Sequence, residues 1–311
     1  MRYDLGPAVT KNAIDSVSLE IPSAGYTLGL VGESGSGKTT LGMSILNLIQ
    51  RPGKISKGRI DYKGENILQF DPKRLTSYRG KEVSMVYQSA MNSLNPLTSV
   101  LDHLVEVFRE HGSISKSTAT DKALELLTQV GIKPERARDY PHEFSGGMKQ
   151  RAVIAMALAL SPKLLIADEP TSALDVVVQK QILALLKKQV LERNLSLIFV
   201  THEIALVPEL TSNIAVMYSG EIVELGKTAE VLAEPLHPYS EMLLNSLLSL
   251  KSSKDILESY IKEKETVTPQ PLDRNACKFS NRCKYAFDRC KRERPLLREV
   301  RRGRWVACHK Y

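Results

Sequence analysis

The chain has 311 residues, and its 42% apolar content fits a packed soluble core of one large domain or two modest ones. The longest apolar runs, such as Ala152 to Leu160, fall short of the roughly 18 residues that span a bilayer, and the N-terminus has no charged-then-apolar signal pattern, so a secreted or membrane-spanning protein is excluded and a cytosolic one expected. The net charge of +8 sits in one place: residues 271–311 carry 13 Lys/Arg against 4 Asp/Glu, while the rest of the chain is almost neutral.

Ile14 to Ile21 alternates apolar and polar residues and predicts a strand. Tyr26 to Val31 predicts a second, more buried strand that runs into a Gly-rich loop, and Thr39 to Ile49 has the apolar spacing of a helix. Ile60, Tyr62 and the Lys63-Gly64 turn predict a hairpin on the sheet edge; Glu82 to Tyr87 predicts a short strand ending at Gln88. From about residue 92 to 145 the pattern becomes helical, with Val100 to Glu110 and Asp121 to Val130 repeating apolar residues at three and four. Strands return at Leu164 to Ala167, Leu197 to Thr201 and Asn213 to Tyr218, with a helix from about Val177 to Arg193 between the first two. Nearly all-apolar strands alternating with helices predict an α/β fold whose central sheet is mainly parallel and covered on both faces. Residues 249–270 are polar and predict a linker with one short helix around Ile256 to Ile261. The expected organisation is a domain over 1–248, that linker, and a basic extension over 271–311 holding all four cysteines.

Gly32-Glu33-Ser34-Gly35-Ser36-Gly37-Lys38-Thr39 matches the phosphate-binding pattern G-x-x-x-x-G-K-[ST] between a strand and a helix. Glycines let backbone N–H groups converge on phosphates, and the helix N-terminus adds partial positive charge. ATP contacts are expected from Ser34, Gly35, Ser36, Gly37, Lys38, Thr39 and Thr40, with Lys38 on the β/γ-phosphates and Thr39 on Mg²⁺. Asp168 and Glu169 end the apolar run Leu164 to Ala167. Asp168 is placed to hold Mg²⁺ and Glu169 to act as general base on the attacking water. His202 follows the strand Leu197 to Thr201 and is expected at the γ-phosphate, orienting Glu169 and the water.

With these elements in this order, residues 1 to about 250 resemble the ATP-binding subunits of ABC transporters. The resemblance implies a P-loop NTPase fold with an antiparallel edge subdomain, a helical subdomain over about 92–145, and the Cys-bearing extension behind them. It makes Gln88 the Q-loop residue that senses Mg²⁺ and water, Ser145-Gly146-Gly147-Met148 the signature motif that completes the ATP site of a second subunit, and Ser172-Ala173-Leu174-Asp175 the D-loop. Tyr3 is the aromatic candidate for stacking on adenine. The family usually has one more strand ahead of this point, which implies a clipped start. Met148 stands where Gln is usual, but the partner's phosphate is held by Ser145 and the glycine N–H groups, so function is expected to survive.

Ser93-Leu94-Asn95-Pro96, Leu236-His237-Pro238-Tyr239 and the Cys308-His309 end narrow the resemblance to the oligopeptide/dipeptide permease ATPases, and within them to the paralogue with Met in the signature. That implies ATP hydrolysis driving import, at the cytoplasmic face of the membrane, of peptides or related solutes such as oligosaccharides. The implied partners are a second, unlike ATPase subunit, two membrane permease subunits and an external solute-binding protein. The alternative is a soluble ATPase of DNA repair or translation. Lys38 and Ser145 are only 107 positions apart, too few for a repair-type coiled coil, and the chain holds one cassette where translation-type relatives hold two. No nucleic-acid partner is expected.

The cysteines Cys277, Cys283, Cys290 and Cys308 are spaced C-x5-C-x6-C-x17-C. This lacks the paired C-x-x-C of zinc ribbons and the runs of bacterial ferredoxins, so spacing leaves a [4Fe–4S] cluster, Zn²⁺ and reduced thiols open. The resemblance of Cys283-Lys284-Tyr285-Ala286 and the Cys308-His309 end to the permease tail implies the iron–sulfur cluster.

Overall fold

The computed structural model describes residues 1–4, 10–88, 93–112, 114–249 and 275–311. The chain enters through β1 (Arg2–Asp4) and β2 (Thr10–Asn12), then crosses the centre as β3 (Thr27–Val31) and turns through the phosphate loop into α1 (Lys38–Ile45). β4 (Gly53–Lys54) pairs with β1 to complete a small antiparallel sheet ordered β2-β1-β4. β5 (Asp61–Tyr62), β6 (Glu65–Asn66), α2 (Pro72–Lys81) and β7 (Val83–Val86) follow. The helical segment is α3 (Val100–Gly112), α4 (Lys116–Gln129) and α5 (Gly146–Leu158). Then come β8 (Leu164–Asp168), α6 (Val176–Arg193), β9 (Ser196–Thr201), α7 (Val207–Leu210), β10 (Asn213–Tyr218) and β11 (Glu221–Lys227). The last elements are α8 (Thr228–Ala233), α9 (Pro238–Ser249), α10 (Asp288–Arg292) and the hairpin β12 (Arg298–Arg301) and β13 (Arg304–Val306).

The main sheet has eight strands in the order β12-β13-β11-β10-β3-β9-β8-β7. The five from β10 to β7 are parallel and β11, β13 and β12 continue antiparallel. Alternation along each parallel strand feeds two cores. Leu165, Ala167, Leu197 and Phe199 pack under α3, α4, α5 and α6, whereas Ile166, Ile198, Val200, Leu28 and Leu30 face the opposite layer. A third cluster joins Val216, Val223 and Tyr239 to Phe279 of the tail. Strands covered on both faces explain why these runs read as continuous apolar sequence.

The fold is the expected α/β one, but two local expectations fail. Ile14 to Ile21 alternates in burial as a strand does, with Ile14, Val17, Leu19 and Ile21 turned to the core, yet it joins no ladder. Ser16 takes a left-handed φ of 57°, which turns the chain out of strand geometry. The Lys63-Gly64 turn does form a hairpin, both residues having positive φ as a primed two-residue turn requires. However, β5 and β6 form their own two-stranded sheet and do not edge the main one. The expected linker over 250–270 and its helix at Ile256 to Ile261 lie outside the described residues.

No described helix is long and apolar enough to cross a membrane.

Candidate functional site

The carboxyl ends of β3, β7, β8 and β9 converge, as ligand sites of open α/β sheets do. After β3, Gly32 and Gly37 take φ of 155° and 103°. A Cβ on Gly32 would stand 2.1 Å from the Met217 carbonyl oxygen, and one on Gly37 would stand 2.4 Å from that of Ala13. Only glycine fits at either place. Gly37 caps the N-terminus of α1 without a side-chain bond, which leaves the first-turn N–H groups turned toward an incoming anion.

Ser34, Gly35, Gly37, Lys38, Thr39 and Thr40 line one open cleft with Gln88 and Glu169. Its free space is about 370 Å³. Asn12, Ala13 and Ser219 complete the lining and were not foreseen: they come from β2, the segment after it and the β10–β11 turn, and no local motif marks them. Ser36 and Asp168 are expected ATP-site residues that do not line the cleft; both are buried. Tyr3 lies in β1, in register with Lys11 and Gly53, and its side chain lies outside what is described.

Lys38 is 5% exposed and donates from Nζ to the carbonyl oxygens of Gly32 at 2.7 Å and Glu33 at 3.0 Å. Burial pushes its pKa down, against the opposing pull of Glu169, Asp168 and Glu33. Asp168 ends β8, fully buried, opposite Val200. Burial raises its pKa, while the nearby Thr39 hydroxyl and Lys38 favour the ionised form and Glu169 opposes it. Neither carboxylate oxygen of Asp168 has a hydrogen bond of normal geometry. A buried carboxylate left unsatisfied beside a hydroxyl is a donor set that suits a hard divalent cation such as Mg²⁺.

One residue later the backbone changes hand. Glu169 has φ of 47°, a conformation that costs a non-glycine residue about 1–2 kcal/mol. Its N–H still reaches the Val200 carbonyl at 2.9 Å, so the strand ladder holds the strained residue in place. Its carboxylate is thereby aimed at two partners from separate elements. Gln88 donates from Nε2 to Glu169 Oε2 at 3.1 Å, and His202 Nδ1 lies 3.0 Å from Glu169 Oε1. The sequence places these three residues in one site, and the structure brings Gln88 and His202 each within hydrogen-bonding reach of Glu169.

Ser145, Gly146 and Gly147 stand apart from this cleft. Ser145 caps α5, its Oγ accepting the Met148 N–H at 3.4 Å; Ser145 and Gly146 are exposed. At Gly147 a Cβ would come within 2.5 Å of Val178, which holds the helix start against α6. A helix N-terminus bared to solvent can receive an anion held by another molecule.

The four cysteines are free thiols, and all line one small cavity with Phe279, Phe287 and His237. Burial pushes Cys277 up to about 11 and also raises Cys283 and Cys308. Among the described residues, no group of three or more His, Cys, Asp or Glu side chains is arranged to hold a metal ion.

The profile of the ABC transporter family matches residues 14–172, and that of the oligopeptide/dipeptide transporter C-terminal region matches residues 223–290. The chain is similar to the dipeptide transport ATP-binding protein DppD of Escherichia coli (strain K12), with 41% identity over 300 residues, or 96% of this chain and 90% of that protein. It is also 40% identical over 302 residues to the oligopeptide transport ATP-binding protein AppD of Bacillus subtilis (strain 168), covering 96% and 91%. Among solved structures, the dimeric post-hydrolysis state of the ATP-binding cassette MJ0796 bound to ADP and Pi matches with a TM-score of 0.64 and 30% identity, over 73% of this chain and 95% of that one. The chain belongs to the ABC transporter family, as an ATP-hydrolysing subunit of its oligopeptide/dipeptide branch.

Proposed function

We propose that this subunit powers the import of peptides, or of related solutes such as oligosaccharides, from the cytoplasmic face of the membrane. Its partners are two permease subunits, a second and unlike ATPase subunit, and an external solute-binding protein. The observation that carries this reading is the division of labour within the chain. Gln88 and Glu169 line its own phosphate cleft and His202 bonds Glu169 there, while the N-terminus of α5 is exposed elsewhere and free to serve another subunit's ATP.

In this reading Ser34 to Thr40 bind the phosphates through backbone N–H groups and Lys38. Glu169 takes the proton of the attacking water onto Oε1 or Oε2, and Gln88 places that water. His202 holds the carboxylate's orientation and contacts the γ-phosphate. Thr39, Gln88 and Asp168 hold Mg²⁺, which when bound neutralises phosphate charge. Ser145, Gly146 and Gly147 hold the γ-phosphate in the partner's cleft, and Tyr3 stacks on adenine. In a dimer so arranged, the phosphates of each ATP lie between a helix N-terminus of either subunit, so hydrolysis changes how firmly the two subunits hold together.

The four cysteines hold a [4Fe–4S] cluster, with Zn²⁺ as the alternative. The support is chemical: four soft sulfur donors share one apolar cavity, the donor type that a soft metal or cluster takes. Iron and acid-labile sulfide in the purified chain support the cluster, and one zinc per chain without sulfide replaces it with the alternative.

Co-purification tests the main reading. A tagged chain is expected to bring down hydrophobic permease subunits, and uptake of a labelled dipeptide is expected to stop in cells that carry only Glu169→Gln. Recovery of ribosomes or DNA with no permease subunit sinks it in favour of a soluble nucleic-acid ATPase.

A further inference from the structure

The cysteine-bearing tail grips the phosphate loop directly. Arg282, one position before Cys283, forms a two-pronged bond to Glu33, the second residue of the loop: Nη1 donates to Oε2 at 2.9 Å and Nη2 to Oε1 at 2.8 Å. Glu33 is held at its backbone as well. Its N–H donates to the hydroxyl of the fully buried Tyr239 at 2.8 Å, and its carbonyl accepts from Lys38. Arg282 is itself oriented by the rings of Tyr218 and Phe279, 5.7 and 5.8 Å from its guanidinium carbon. A second grip runs through the β10–β11 turn. Lys278 donates to the Ser219 carbonyl at 2.9 Å, and the adjoining Gly220 N–H donates to the Ser36 carbonyl at 2.8 Å. The tail therefore bonds the loop directly at Glu33 and is linked to it at Ser36 through the Ser219-Gly220 turn.

We propose that Arg282 is a positioning residue for ATP binding, and that the tail acts through it to hold the phosphate loop in the shape that receives the nucleotide. The inference rests on the ATP site lying at that loop. The loop binds phosphate through several N–H groups that must converge, so a small shift at its start misdirects all of them. Nothing in the phosphate-binding pattern itself requires an acidic residue at position 33. Its carboxylate makes sense here as the handle for Arg282. Planar two-pronged pairing also fixes angle as well as distance, which a lysine point charge does not.

The test measures Mg-ATP affinity of the full-length chain by titration calorimetry, with thermal melting and cysteine-site metal content as folding controls. Arg282→Ala and Glu33→Ala are each expected to weaken ATP binding about 5- to 10-fold, on the scale of one lost charge-assisted contact. The double variant is expected to be no weaker than either single one, because both remove the same link. Arg282→Lys should recover only part of the loss, and KM for ATP should move more than kcat. Unchanged affinity in both single variants, or losses that multiply in the double, overturns the proposal. If Arg282→Ala does not fold, Glu33→Gln carries the test. It keeps the backbone bond to Tyr239 and removes only the charge, so wild-type affinity there also overturns it. Lys38→Ala separates the two readings: if it binds ATP as wild type does, the site assignment itself is at fault.

Discussion

At the nucleotide site, Lys38, Gln88, Glu169 and His202 come from four separate segments, yet Lys38 opens the helix after the phosphate loop and the other three follow the ends of strands that their own sequence announces. At the tail the situation is reversed. Six basic residues, Lys278, Arg282, Lys284, Arg294, Arg301 and Arg304, meet six carboxylates of the ATPase body, Asp15, Glu33, Glu241, Glu221, Glu234 and Glu224. No local pattern marks any of those pairs. The tail's +9 is thus largely the complement of an acidic surface on the same chain. The cleft is organised by backbone geometry for a ligand, and the dock by charge pairing between surfaces far apart in sequence.

Substitutions should therefore separate catalysis from attachment. The largest effect is expected at Glu169→Gln, which keeps side-chain size but cannot take a proton. ATP turnover should fall by at least about a thousandfold while Mg-ATP binding persists, measured by phosphate release and by nucleotide retention on gel filtration. Turnover within tenfold of wild type would mean that another group is the base. Thermal stability should barely change, because the residue's contacts are at the cleft and not in the dock.

The next effect belongs to the dock and should leave the chemistry in place. Arg304 and Glu224 are 4% and 0% exposed at their side chains, with Nη2 to Oε1 at 2.7 Å. Glu224 also accepts the N–H groups of Leu236 and His237, at 2.9 Å each, so this carboxylate caps the approach to α9. Arg304→Ala leaves a charge buried and unpaired, for which about 3–5 kcal/mol is the usual loss. Chemical denaturation should show it, with limited proteolysis first cutting the freed tail. A loss below about 1 kcal/mol would mean that the dock relies on its apolar contacts instead.

How far the sequence led follows from the same division. The phosphate loop, the Asp168-Glu169 pair and His202 were legible because each motif is short and its strand context is local. The mainly parallel sheet was legible because strands covered on both faces lose their alternation. The strand at Ile14 to Ile21 misled because alternating burial arises wherever an extended segment lies on a core, whether or not a ladder forms. The tail hairpin was missed altogether. Arg298 to Arg301 and Arg304 to Val306 are rich in arginine, which hid two strands that continue the main sheet beyond β11. His237 and Tyr239 were seen as marks of a branch but not as parts of the fold. In the structure, burial pushes His237 down to about 3 and keeps it neutral, so its Nδ1 can accept the Tyr239 N–H at 3.0 Å.

Acid should probe the dock more gently. Burial alone would raise the Asp15 carboxyl, but Lys278 and Arg294, each 3.1 Å from Oδ2, hold it below its ordinary value. A depressed acid stabilises the fold above its unfolded pKa and loses that contribution as pH falls through the folded one. Glu221, beside the same two cations, is raised by burial and contributes in the opposite direction, so the two partly cancel. The melting-temperature gap between wild type and Asp15→Asn should be open near pH 7 and close below about pH 4. A gap that persists in acid means that Asp15 acts through its shape and not its charge.

The smallest effect should come from the arginine three positions before Arg304. Arg301 bonds both oxygens of Glu234 in a two-pronged pair as regular as the one at Glu33, yet its side chain is 52% exposed and that of Glu234 61%. In water such a pair gives up hydration and side-chain freedom for a Coulomb attraction that salt screens, so its net contribution is near zero. Arg301→Ala should leave the melting temperature within experimental scatter, in low salt as in high. The two arginines sit on the same hairpin and both pair with carboxylates of the body, so their contrast isolates burial as the variable. Equal losses at Arg301 and Arg304 would show that the number of ion pairs, and not their removal from water, holds the tail to the ATPase body.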